Sequence, residues 1–80
     1  MRYMTKGVCS SYIDIEMDGE TIKQVSFTGG CHGNLQGIAR LVEGMKAEDA
    51  IARLKGIRCG YKATSCPDQL AVALESILEG

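Results

Sequence analysis

The 80-residue chain has room for one domain and one core, spanning residues 1–80, and its apolar content of 45% is ordinary for a globular protein. With no Trp and a single Phe, that core must be built from Leu, Ile, Val, Met and Ala. A net charge of −1, with acids and bases interspersed, leaves no basic stripe to follow a nucleic-acid backbone. No apolar run reaches the length of a signal peptide or a membrane span, so a cytoplasmic protein without a membrane partner is expected.

The first third reads as strands. Arg2 to Val8 suggests a short strand, and Ile13, Ile15 and Met17 alternate with Tyr12, Asp14 and Glu16 in the period-2 pattern of a half-buried strand. Asp18-Gly19 predicts a hairpin turn, because both positions tolerate positive φ. Thr21 to Thr28 then forms the return strand, with Val25 and Phe27 on one face. Ile22 is out of step with that pair, which predicts a bulge or a shifted turn there.

Gly29-Gly30 ends the strand, and Leu35, Ile38, Leu41, Val42 and Met45 give helical spacing with Asn34 as its expected N-cap. Gly44 closes this helix. A shorter one carries Ala47, Ala50, Ile51 and Leu54 and stops at Gly56. After a loop from Gly56 to Ala63, Thr64-Ser65-Cys66-Pro67-Asp68 is the clearest helix start in the chain. Pro67 suits the first helical turn, and Ser65 with Asp68 has capping-box spacing. Leu70, Leu74, Ile77 and Leu78 form the apolar face of that last helix. Met4, Met17 and Met45 read as core filler. The expected fold is α+β: a small antiparallel sheet of two to three strands, followed by three helices packed on one face.

Four cysteines, Cys9, Cys31, Cys59 and Cys66, carry the chemistry. Cys9 precedes the first clear strand and Cys31 follows the second, so a hairpin brings them to one edge despite 21 intervening residues. Cys66 opens the last helix and Cys59 lies seven residues upstream in a Gly-containing loop. If the last helix starts at the same edge, four sulfurs meet there, which suits tetrahedral Zn²⁺ or an iron–sulfur cluster. A tetrathiolate zinc site carries a charge near −2 by counting. Lys6, Arg58 and Lys62, which flank three of the cysteines, would offset it.

Redox-active or disulfide-linked thiols, and inert core cysteines, are the competing readings; no C-x-x-C pair decides between them. His32 could be a ligand, a base for the Cys31 thiol, a hydrogen-bond donor behind the ligands, or a plain loop histidine. Ser65 could donate in the same supporting way. Gly29-Gly30-Cys31-His32-Gly33-Asn34 has some character of a phosphate-cradling loop, but a tight turn beside a ligand explains it better.

Thr64-Ser65-Cys66-Pro67-Asp68, with Lys6-Gly7-Val8-Cys9, Gly29 to Leu35 and Gly56-Ile57-Arg58-Cys59-Gly60, resembles the motif blocks of the TSCPD-domain family over nearly the whole chain. The resemblance implies a small four-cysteine protein. It also implies kinship with a C-terminal domain of ribonucleotide reductases, notably cobalamin-dependent ones. A chain of 80 residues cannot house that enzyme's barrel, so the expected tie is accessory, through nucleotide binding or thiol redox, and not independent catalysis.

The order of cysteines, hairpin and helices is also similar to U-type iron–sulfur scaffold proteins. That likeness implies Cys9, Cys31 and Cys66 as ligands of zinc or of a cluster, with a cluster-assembly partner. Ser10-Ser11 and Ser65 stand where those scaffolds carry Asp and His, which counts against cluster transfer. Cys59 is an added thiol that would close the coordination shell. The expectation is a structural Zn²⁺ held by Cys9, Cys31, Cys59 and Cys66.

Overall fold

The computed structural model describes residues 1–5, 10–30 and 32–79, with Ser10 and His32 described by backbone alone. Three strands, β1 (Arg2–Met4), β2 (Ser10–Asp18) and β3 (Thr21–Gly29), are followed by α1 (His32–Val42), α2 (Ala47–Leu54) and α3 (Cys66–Glu79). The sheet is antiparallel in the order β1-β2-β3, and the helices supply the other layer of the core. This is the α+β arrangement the hydrophobic patterning predicts.

Alternation along β2 buries Ile13 and Ile15 and leaves Glu16 exposed. Across the hairpin, Ile15 faces Val25, but Met17 faces Ile22, so Lys23 is the extra residue of a bulge. The bulge turns Ile22 back toward the helices and buries it fully, which resolves its offset from Val25.

The turn itself differs from expectation. Asp18 pairs with Thr21, so Gly19 and Glu20 form the two-residue loop, and only Gly19 (φ 62) has positive φ. This is the II′ pattern, which needs Gly only at its first central position. The first strand is also shorter than the predicted Arg2 to Val8 span; residues 6–9 lie outside the described part.

β3 is an edge strand, and its edge is covered. The segment after α1 runs alongside: Ile22 N–H donates to the Met45 carbonyl at 2.8 Å, and Gly44 N–H donates back to the Ile22 carbonyl at 2.7 Å. Further along, the Glu43 carboxylate accepts the Val25 N–H at 3.3 Å. Backbone groups that would otherwise template another strand are therefore occupied.

The helices pack Ala39, Val42, Ala47, Ala50, Leu70, Ala73 and Leu74 onto the β-sheet isoleucines. Four details depart from the predicted helical faces. α1 begins at His32, so Asn34 sits in its first turn and is not its cap, and it ends at Val42, so Met45 lies beyond it. Leu41 is 77% exposed: Leu35, Ala39 and Val42 define the buried stripe, and Leu41 falls beside it. Leu78 is largely exposed near the end of α3. Met17 and Met45 pack against the core as expected, whereas Met4 points to solvent from the short edge strand.

Candidate functional site

The motif at the start of α3 is a hydrogen-bonded knot. The Ser65 hydroxyl accepts the Asp68 N–H at 3.1 Å, which satisfies one of the orphan donors at the helix N-terminus. It donates in turn to the Ile57 carbonyl at 2.6 Å. The Asp68 side chain does not complete a capping box by returning to the Ser65 backbone. Its two oxygens accept the Gly56 N–H at 2.7 Å and the Thr64 hydroxyl. Thr64 also receives the Gln69 side-chain amide at 3.1 Å.

Ser65 and Gln69 are buried polar residues, and these bonds are what makes their burial tolerable. The Thr64 hydroxyl, and after it the Gly56 N–H, hold the Asp68 carboxyl below its ordinary pKa, with smaller help from the Lys55 and Arg58 charges. The carboxylate form is therefore the one the knot is built around.

The knot ties the loop between α2 and α3 to the α3 N-terminus. Within that loop Lys62 N–H donates to the Cys59 carbonyl at 3.1 Å, and Cys59 N–H donates to the Thr64 carbonyl at 3.2 Å, closing a turn in which Gly60 takes φ 60. Cys59 is exposed and Cys66 half-buried, and the two are not joined by a disulfide.

Both thiol residues line one cleft of about 500 Å³. It is also lined by one face of α1, from Gly33 and Gly37 to Ile38 and Leu41. Lys62 and Pro67 complete the rim on the loop and α3 side. The first turns of α1 and α3 thus open on the same space, together with a lysine.

Of the predicted ligands, Cys59 and Cys66 are brought together. Cys9 and Cys31 lie outside the described residues, as does the side chain of His32. Of their described neighbours, Ser10 pairs with Gly29 at the end of the hairpin, and α1 starts at His32, one residue before the cleft-lining Gly33. Among the described residues, no three His, Cys, Asp or Glu side chains cluster in a way that could hold a metal ion. Also among them, no helix is long and apolar enough to cross a membrane.

Sequence reasoning found Ser65 as a cap but missed what Asp68 and Thr64 do. The only signal was that two polar side chains flank the Ser-Cys-Pro helix start, one on either side. It also missed the α1 wall of the cleft, for which Gly33 and Gly37, four apart on one helix face, were the available sign.

No curated protein and no solved structure matches the chain significantly. The sequence model of the TSCPD domain matches residues 1–78, the extent that folds into this sheet, its three helices and the knotted Thr64-to-Asp68 motif, and the chain belongs to that family.

Proposed function

We propose that this is a metal-binding protein in which Cys9, Cys31, Cys59 and Cys66 hold a structural Zn²⁺ ion in a cytoplasmic setting. The observation that carries the reading is that Cys59 and Cys66, from a loop and a helix start, line one cleft with Lys62 on its rim. Thiols from two separate segments on one space are a donor set that suits zinc. Cys9 and Cys31 supply the remaining ligands in this proposal. The pairing of Ser10 with Gly29 supports it, since those residues stand one and two positions from the two cysteines.

When bound, zinc would contribute cross-linking and not turnover: four protein thiolates leave no open coordination position for substrate. In a chain of this size the hairpin end, the loop and α3 would then be tied by one ion, which suits a domain with a small aliphatic core.

Elemental analysis of anaerobically purified protein tests the proposal directly. One zinc per chain, in a colourless protein, supports it. A brown protein carrying iron and sulfide would assign the same cysteines to a cluster instead. A metal-free chain whose cysteines are all reduced and which melts cooperatively would remove the metal reading altogether.

A further inference from the structure

We infer that Asp68 and Ser65 are positioning residues for the Cys59–Cys66 thiol pair. Asp68 links Gly56, at the start of the loop, to Thr64, at its end, through bonds to the two oxygens of one carboxylate. Ser65 adds a second tie, from the helix start to Ile57, two residues before Cys59. Cys59 itself sits in a loop whose only described internal bonds are backbone turns, and its side chain is exposed. Nothing from a packed core holds this segment: Ile57, Arg58, Cys59, Gly60, Tyr61 and Lys62 are all solvent-exposed. The polar knot thus does for this loop what apolar burial does elsewhere in the chain.

The consequence is specific to the thiols. Cys66 is fixed because α3 packs by Leu70, Ala73 and Leu74 into the core. Cys59 is fixed relative to Cys66 by its own N–H bond to the Thr64 carbonyl and by Asp68 and Ser65, whose side chains close the loop onto the helix start. A charged acceptor shared by two donors is a strong tie, and its loss would leave both Gly56 N–H and Thr64 hydroxyl to water. The inference rests on the thiol-site reading above for its purpose, but its geometry can be read without metal.

The test uses the full, metal-free, reduced chain and dibromobimane, which fluoresces when it joins two nearby thiols, with peptide mapping to locate the link. Wild type is expected to give a Cys59–Cys66 link. Asp68→Ala should lower its yield about tenfold, the scale set by losing a hydrogen-bonded charge. Asp68→Asn, which keeps one carbonyl acceptor, should fall between. Ala50→Gly weakens α2, which none of these bonds involves, and should leave the yield unchanged although it lowers stability.

Equal yields in wild type and Asp68→Ala, a matching loss in Ala50→Gly, or no Cys59–Cys66 link in wild type would each overturn the inference. Zinc affinity, measured on the same proteins by chelator competition, separates the two claims. A wild type that binds no zinc but loses its link in Asp68→Ala sinks the metal reading and leaves the positioning role standing.

Discussion

The hydroxyl of Ser65 reaches back eight residues to the carbonyl of Ile57, 2.6 Å away. With the Asp68 N–H as its donor, this hydroxyl is used in both directions at a position only 4% exposed. A cap that serves one helix alone would leave the preceding loop unattached; this one fastens the two together.

Ser65→Ala should therefore cost more than an ordinary exposed cap. Both the Asp68 N–H and the Ile57 carbonyl lose their partner, for an expected loss of about 1–3 kcal/mol. Urea unfolding of the metal-free chain would show a lower midpoint at unchanged slope. A shift of only a few tenths would mean that water replaces the hydroxyl at no cost.

Two glycines predict opposite signs for one substitution. Gly44 follows α1 with φ 90 and donates to the Ile22 carbonyl, so Gly44→Ala forces an L-residue into left-handed backbone at about 1–2 kcal/mol. No heavy atom lies within 4 Å of a methyl there, so the cost is conformational and not steric. Gly37 lies within α1, and a methyl on it also meets open space. Gly37→Ala should stabilise the chain by about 0.5–1 kcal/mol through helix propensity alone. Thermal unfolding of both variants checks the contrast.

Most of the fold was legible because its signals are local. Ile13, Ile15 and Met17 alternate, and the offset of Ile22 pointed to a bulge or shifted turn, which the structure resolves as a bulge at Lys23. Where the reading missed, a non-local choice decided. The Asp18-Gly19 dipeptide favours an I′ turn on composition, yet pairing of Asp18 with Thr21 moved the loop by one residue. Leu41 fits helical spacing as well as Leu35 does, and only the direction of the core around Ala39 and Val42 excludes it. For the site, sequence order could place cysteines near helix starts. It could not show that Asp68 would turn away from its own helix to hold Gly56 and Thr64, because Gly56 lies 12 residues back in the chain and only the path of the loop brings it within reach.

The open face of the sheet gives a pH prediction. Arg2 meets Asp14 at 2.9 Å and lies over the Tyr12 ring, 4.9 Å from its centroid. The hydrogen bond from Arg2 holds the Asp14 carboxyl below its ordinary pKa. A carboxyl depressed in the folded state adds stability above its unfolded pKa, and that contribution is lost as pH falls through the folded value. Both groups are solvent-exposed, so the effect on stability is small, and the titration itself is the better readout. In Arg2→Gln the Asp14 carboxyl resonance should titrate at higher pH than in wild type. Coincident curves would mean that solvent screens the pair completely.

The metal proposal predicts stability that depends on the ion. Structural zinc in small domains carries roughly 10–16 kcal/mol of apparent binding free energy, comparable to the whole stability of a domain this size. Chelation should therefore lower the melting temperature steeply, and Cys66→Ser should melt like chelated wild type whether or not zinc is added. Cys59→Ser should behave the same way, although its side chain is exposed and touches no core. That residue is the sharper test: without a metal, replacing an exposed thiol by a hydroxyl should be close to neutral. If Cys59→Ser melts with wild type in the presence of zinc, the four-thiolate site does not exist, and the cleft between α1 and α3 must be read without it.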